Sequence, residues 1–112
     1  MEINKKSVDN VTILYFTGNF NLIFSSYIKQ TLFDELNNEK DIILNLKATE
    51  FVDSTGVGLL VEMANKFRDK GLKFILTNMN YEVQNILNVA NLLDMLQNFE
   101  DEEEALNYLK SK

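Results

Sequence analysis

Cysteine, histidine and proline are absent from this chain of 112 residues. Without cysteine or histidine, the chain has no thiol nucleophile, none of the common nitrogen or sulfur metal ligands, and no base for a Ser-His-Asp or Cys-His arrangement. The lack of cysteine also fits a reducing compartment. We therefore expect neither a catalytic site nor a bound metal or other cofactor, and we expect the function to be binding.

Long apolar runs and an excess of basic residues are missing as well. No run approaches the roughly 20 residues that span a bilayer, and residues 1–6 do not lead into the apolar core of a signal peptide. We therefore expect a cytoplasmic protein. Seventeen Asp and Glu residues against eleven Lys and Arg residues give a formal net charge of −6. Nucleic acids and anionic membranes are polyanions, so a protein partner is the better interpretation.

The size and composition are those of one ordinary globular domain. Apolar residues make up 46% of the chain and charged residues 25%, which is enough for one core without a metal or disulfide. No internal repeat, low-complexity segment or linker interrupts the sequence. We therefore expect a single domain over residues 1–112.

Short segments at strand spacing alternate with longer segments at helical spacing. Residues 2–8 and 11–17 predict a hairpin turned through Asp9 and Asn10, a pair that tolerates left-handed backbone. Residues 42–46 are almost continuously apolar, which is typical of an interior strand covered on both faces. Further strands are expected over 72–77 and 95–99. The alternation predicts an α/β domain: a mixed sheet of four or five strands with about four helices packed against it.

Helix ends are marked by capping and stop residues. Ser25 or Ser26 can cap a first helix that stops at residues 37–38. A second helix is expected from Val57 to about Lys70, ended by Gly71, and a third is ended by Asn91. The acidic run 100–104 is a more natural start for a last helix than a metal site, because acids favour the positive end of the helix dipole. The expected core stripe of the second helix is Val57, Leu60, Val61, Ala64 and Phe67.

The segment Asp53-Ser54-Thr55-Gly56-Val57-Gly58 lies between a buried strand and an amphipathic helix. The start of a helix is a natural anion site, because free backbone N–H groups and the positive dipole end converge there. Ser54 has two interpretations: it caps the helix, or it accepts a phosphoryl group. Asp53 could orient its hydroxyl. The segment is neither a dinucleotide fingerprint nor a phosphate loop, and Ser54 has no histidine to activate it.

Two apolar residues, Leu59 and Met63, lie beyond the expected core stripe of the second helix. They either pack under a neighbouring helix or form a partner-facing patch beside Ser54. Three aromatic residues elsewhere are expected to pack in the core; they are Tyr27, Phe33 and Tyr81.

These features resemble the bacterial anti-sigma factor antagonists of the STAS family, whose name refers to sulfate transporters and anti-sigma factor antagonists. The resemblance covers nearly the whole chain. Its centre is the strand 42–46 followed by Phe51-Val52-Asp53-Ser54-Thr55-Gly56-Val57-Gly58-Leu59. Residues 17–18, 71–74 and 86–93 resemble the flanking segments, with Asn91 where the family has Gly.

The resemblance implies a partner switch. The unphosphorylated antagonist binds an anti-sigma factor that is also a serine kinase, and a sigma factor is thereby released. The kinase phosphorylates Ser54 and the complex separates, until a metal-dependent Ser/Thr phosphatase restores the antagonist. The chain is then a substrate and not an enzyme. The implied partner-binding residues around Ser54 are Asn19, Asn21, Asp53, Thr55, Gly56, Gly58, Leu59 and Met63.

One loop departs from the family pattern. Asn19 and Asn21 stand where the family usually has acids, which keeps hydrogen-bonding capacity but removes charge. The alternative is therefore a STAS interaction module that is not phosphorylated, in a signalling scaffold or a lipid-transport complex. A third alternative is an enzyme or a small-ligand binder. The expected state is a monomer or a weak dimer.

Overall fold

The chain begins with a hairpin whose strands pair along their whole length. In the computed structural model, which describes residues 1–111, β1 (Glu2–Val8) runs antiparallel to β2 (Val11–Thr17). Asp9 has a φ of 53° at the turn, a left-handed conformation that Asp tolerates better than most residues. Both strands and the turn are confirmed as the sequence predicts them.

Three parallel strands extend the sheet from β2. They follow in the order β3 (Asp41–Asn45), β4 (Phe74–Thr77) and β5 (Asn98–Phe99), giving a five-stranded sheet of order β1-β2-β3-β4-β5. This confirms the α/β class and the mixed sheet. β4 and β5 are shorter than expected because the residues before them form connections. Within residues 1–111 the α-helices are α1 (Ser25–Asn37), α2 (Ser54–Asp69), α3 (Tyr81–Val89) and α4 (Glu102–Lys110).

The two faces of the sheet carry separate cores. On one face, Leu44 and its neighbours pack beneath α1, α2 and α3. On the other face, Ile43 packs with Ala105 of α4. Successive strand residues point to opposite faces, so β3 is buried on both sides, as its apolar run indicates. No helix in the part of the chain that the structure describes is long and apolar enough to cross a bilayer.

Left-handed residues end the helices on the first face. After α2, Gly71 has a φ of 73° and Leu72 N–H donates to the Phe67 carbonyl at 2.9 Å. After α3, Asn91 has a φ of 61° and Leu92 N–H donates to the Leu87 carbonyl at 2.8 Å. Both are Schellman terminations, in which the left-handed residue lets the next amide satisfy a free helix carbonyl. The two predicted stop residues are confirmed.

The helix starts differ in how well the sequence predicts them. α1 is not capped by a serine: a 3-10 turn precedes it, and Ser25 Oγ donates to the Leu22 carbonyl at 3.0 Å. That cap prediction is wrong, because the serines already have helical backbone. At α4, Asp101 Oδ1 accepts from Glu104 N–H at 2.9 Å. The acidic run is therefore a helix start, as expected.

Candidate functional site

The segment Asp53-Ser54-Thr55-Gly56-Val57-Gly58, which we call the signature segment, contains the start of α2. The helix begins at Ser54 and not at Val57, where the sequence predicts it. Its N-cap is Asp53, which has extended backbone (φ −85°, ψ −179°) and whose Oδ1 accepts from Gly56 N–H at 2.8 Å. A side-chain oxygen bonded to the third helical amide is the standard N-cap arrangement. The prediction that Ser54 caps the helix is therefore wrong, because the residue before it already does so.

The second carboxylate oxygen of Asp53 ties the helix start to the loop after β2. Asp53 Oδ2 accepts from Leu22 N–H at 3.1 Å, and Asp53 N–H donates to the Phe20 carbonyl at 2.9 Å. Phe20 N–H in turn donates to the Phe51 carbonyl at 3.1 Å. The loop is thus fastened to the segment before α2, and no hydrogen bond joins Asp53 to the Ser54 hydroxyl. Asp53 positions backbone and does not orient the serine.

Ser54 is exposed, and its hydroxyl makes no hydrogen bond with any residue in the described range 1–111. It stands on the first turn of a 16-residue helix, where the dipole and the first amides favour negative charge. The side chain can therefore change without breaking a hydrogen bond of the fold.

The two asparagines of the loop use their amide oxygens as acceptors. Asn19 Oδ1 accepts from Phe51 N–H at 3.0 Å, and Asn21 Oδ1 accepts from Phe24 N–H at 3.2 Å. A carboxylate would serve equally as an acceptor at either place. The departure from the family pattern therefore changes the charge of the loop and leaves its hydrogen bonds in place.

The two glycines of the signature have opposite environments. Gly56 is buried, and a Cβ placed on it would lie 2.6 Å from the Phe20 carbonyl oxygen and 2.8 Å from Val52 Cγ1. Gly58 is exposed, and a Cβ there would meet nothing within 4 Å. Gly56 therefore allows α2 to lie close to the loop, and its expected contact with a partner is wrong. Gly58 has no such role in the fold.

Leu59 and Met63 belong to the core. Their side chains are 6% and 0% exposed, because α2 packs against both the sheet and α1. The hypothesis of a partner-facing patch is wrong for Met63, and Leu59 shows only a small edge. The expected core stripe is correspondingly displaced, since three of its members are only partly buried; they are Val57, Val61 and Ala64.

A shallow groove lies between α1 and α2, next to Ser54. Thr55 and Gly58 line it from α2, Ser25 and Ser26 from α1, with Leu59 beneath. An ion pair joins the two helices across it, with Lys29 Nζ 3.1 Å from Glu62 Oε2. Thr55 and Gly58 are thus placed where a docked partner could reach them.

Four exposed apolar side chains, which we call the apolar collar, lie on segments that are hydrogen-bonded to one another at this end of the molecule: Leu22, Ile23, Phe51 and Tyr81. Their exposed fractions are 69%, 81%, 44% and 80%. Tyr81 belongs to this end because Asn80 Nδ2 donates to the carbonyls of Thr49 and Glu50 at 3.2 and 3.3 Å. Exposed large apolar side chains that gather at one end of a domain are typical of interaction surfaces.

The sequence interpretation missed the collar. Tyr81 and Tyr27, which is 48% exposed, are not the packing residues that the sequence suggests. Phe33 does pack against the core. A signal for Leu22 and Ile23 was present, since they fall outside the every-fourth-residue spacing that the buried side of α1 follows.

Comparison with known proteins agrees with this architecture. The STAS domain family model matches residues 2–105. A "putative anti-sigma factor antagonist" of Thermotoga maritima is 28% identical over 109 residues, which is 96% of each chain. A crystal structure under that name superposes with a TM-score of 0.90 at 29% identity, covering 96% of this chain and 94% of that one.

More distant structures share the fold. The anti-sigma factor antagonist SpoIIAA in its unphosphorylated form has a TM-score of 0.82 at 19% identity, covering 99% of this chain and 98% of that one. The phosphorylated form of SpoIIAA, a Bacillus cell fate determinant, has a TM-score of 0.74 at 19% identity, covering 96% and 99%. Because the family model runs from β1 into the first turn of α4 and includes the whole Ser54 segment, this chain belongs to the STAS domain family.

Proposed function

We propose that this protein is an anti-sigma factor antagonist controlled at Ser54. In its unphosphorylated form it binds an anti-sigma factor that has serine kinase activity, and a sigma factor is released. The observation that carries the proposal is the exposed Ser54 hydroxyl, which has no hydrogen bond within residues 1–111 while Asp53 supplies the helix cap. Family membership and the names of the relatives support the same assignment.

Binding would be driven by the apolar collar. Ile23 and Tyr81 are about four-fifths exposed, and apolar area removed from water contributes about 25 cal/mol per Å². Gly58 adds a place where a partner backbone can approach closely, because a glycine in an exposed helix position costs about 1 kcal/mol relative to alanine and needs another reason to be there. Leu22 is bonded to Asp53, the residue before Ser54, and Gly58 lies one turn further along α2, so a partner that binds there would cover the hydroxyl.

Phosphorylation would weaken that complex without unfolding the domain. A phosphoryl group adds about −1.5 to −2 charge, and the start of α2 tolerates it. Within the complex the same group would have to be buried among apolar contacts, which is costly for an unpaired anion. The base and the metal ions for the transfer belong to the kinase, and a metal-dependent Ser/Thr phosphatase would reset the switch. The chain is the substrate of this chemistry.

The assignment of Ser54 is tested by phosphorylation in vitro. We expect the anti-sigma factor kinase of the same organism, with ATP, to add one phosphate group by intact-protein mass spectrometry. Ser54→Ala should abolish the addition, whereas the matched neighbour Thr55→Ala should retain it. Phosphate located on Thr55, or none with any such kinase, would refute the assignment.

The switch itself is tested with Ser54→Asp. We expect weaker binding to the anti-sigma factor and a change in unfolding free energy within about 0.5 kcal/mol, since an exposed residue without contacts is being replaced. Unfolding of the variant would contradict the proposal. Full binding by a chain that no kinase modifies would favour the alternative, a STAS module in a signalling scaffold or lipid-transport complex.

A further inference from the structure

The strand β1 forms one edge of the sheet and has a free side. The strand order leaves β1 and β5 at the two edges, and β5 has only two residues. β1 has seven residues, and within residues 1–111 it pairs with β2 alone. Backbone N–H and C=O groups of alternate β1 residues therefore face away from the sheet, where they can pair with another strand.

β1 lacks most of the features by which edge strands avoid such pairing, which are short length, proline, a bulge or a covering segment. The chain has no proline, each β1 residue lies opposite one β2 residue without a bulge, and no β1 residue is buried. Lysines are the remaining protective feature. Lys5 is held by α1 of its own chain, since its Nζ lies 3.3 Å from Glu35 Oε2. The charge of Lys6 is therefore the one that decides what can pair with this edge.

The charges on one face of β1 are complementary to their own reverse order. Glu2, Asn4 and Lys6 share a face, because alternate strand residues point the same way. This is the face that α4 covers, since Lys6 lies opposite Ile13, which packs in the core on that side. Along the strand the face presents an acid, an amide and a base. A second copy that runs antiparallel presents a base, an amide and an acid.

One alignment of two β1 strands makes use of this pattern. With a two-fold axis at Asn4, Glu2 lies opposite Lys6 of the second copy, and the same pair occurs again by symmetry. Opposite charges directly across a strand pair are stabilising, and like charges there are destabilising. An axis at Lys5 would place the two Lys5 side chains opposite each other. An axis at Ile3 would leave Lys6 outside the paired segment.

We propose that β1 is the contact surface for a second copy of this chain. The two β1 strands pair antiparallel about Asn4 and join the two sheets into one continuous sheet. The same surface is used on both copies, as in closed two-fold dimers. A single strand pair is smaller than the interface of about 1,200 Å² or more that stable complexes have, so the dimer is weak. The contact does not involve Ser54 and does not depend on the switch proposed there.

The dimer is tested with the full chain, without an N-terminal tag, over a concentration series. We expect sedimentation velocity to show a rise from monomer toward dimer between micromolar and millimolar concentration. We expect the ¹H-¹⁵N NMR signals of β1 to move with concentration while those of α3 do not. A chain that stays monomeric up to millimolar concentration, or concentration-dependent shifts confined to the apolar collar, would overturn the proposal.

Charge reversal at Glu2 tests the alignment. Glu2→Lys places like charges opposite Lys6 of the second copy twice, and it should raise the dissociation constant of the dimer about tenfold or more. The same change brings the formal net charge of −6 closer to zero, which by overall repulsion alone would favour association. The two effects have opposite signs, so a weaker dimer indicates local pairing. Lys6→Glu should weaken the dimer in the same way.

The combined variant and a control complete the test. Glu2→Lys together with Lys6→Glu restores opposite charges across the pair and should recover the affinity of the wild type. Glu82→Lys makes the same charge change at an exposed residue of α3 and should not weaken the dimer. Equal losses in Glu2→Lys and Glu82→Lys, or a combined variant as weak as the single ones, would refute the alignment at Asn4.

Discussion

The two glycines at the start of α2 provide a matched pair for testing why the helix lies where it does. Gly18 and Gly71 are the glycines with positive φ, so alanine can adopt the backbone of both Gly56 and Gly58, and only the available space differs. At Gly58, alanine should stabilise the protein by about 0.5–1 kcal/mol, the usual gain in a helix. That gain has no steric cost, because a Cβ there meets nothing within 4 Å.

Gly56→Ala should destabilise the protein. Its Cβ would lie 2.6 Å from the Phe20 carbonyl oxygen and 2.8 Å from Phe20 Cβ, atoms that a side-chain rotation cannot move away. Overpacking of this kind costs about 1–3 kcal/mol, and against rigid backbone atoms we expect the upper part of that range, which exceeds the propensity gain of about 1 kcal/mol. The propensity gain is common to both variants, so they should differ by the overpacking cost, about 1–3 kcal/mol.

Urea unfolding measures the difference directly. With a denaturant slope of about 1–3 kcal/mol per M, the two midpoints should be on the order of 1 M apart. Equal midpoints for Gly56→Ala and Gly58→Ala would refute the close-approach argument. Gly58→Ala should also bind the anti-sigma factor more weakly although it is more stable, and unchanged binding would remove Gly58 from the interface.

Two further predictions concern the apolar collar and Tyr15. Ile23→Ser should weaken binding to the anti-sigma factor, measured by surface plasmon resonance, with little change in melting temperature. The control Val89→Ser changes a residue that is 74% exposed but not in the apolar collar, and it should leave binding unchanged. Equal effects of the two variants on binding would contradict the collar assignment. The pKa of Tyr15 rises from 10.0 to about 12 on folding, because of burial and the neighbouring Glu102 carboxylate. Between these two pH values the folded state keeps the phenol proton while the unfolded state loses it. The contribution of Tyr15 to the free energy of unfolding is therefore complete below about pH 10 and is lost as the pH rises through about 12. Urea midpoints of the wild type should therefore fall more steeply over that range than those of Tyr15→Phe, and parallel curves would refute the raised pKa of Tyr15.

The fold was largely predictable because its determinants are local. The hairpin follows from two β-rich segments around a turn-tolerant pair, and the ends of α2 and α3 follow from Gly71 and Asn91. Each of these depends on the conformational preference of one or two residues. The start of α1 was not predictable in this way, because whether a serine caps a helix depends on where the backbone turns.

The candidate site, like the fold, was predictable only in part. Its location, a strand followed by a polar segment and an amphipathic helix, is present in the sequence. The roles of Asp53 and Ser54 are not present in the sequence. Asp53 caps the helix and binds the Leu22 amide, while Ser54 makes no side-chain hydrogen bond within residues 1–111. The cap is a local contact, but the bond with Leu22 joins segments 31 residues apart, which periodicity cannot reveal.

The sequence by itself determined the class of fold, the family resemblance and the position of the candidate phosphoacceptor, because spacing, turn residues and motif order are properties of neighbouring residues. Only the tertiary structure decided which side chains remain exposed. Met63 is buried where α2 meets α1 and the sheet, while Ile23 and Tyr81 are left in solvent. Burial depends on how helices are placed on the sheet, and contacts distant in sequence fix that placement.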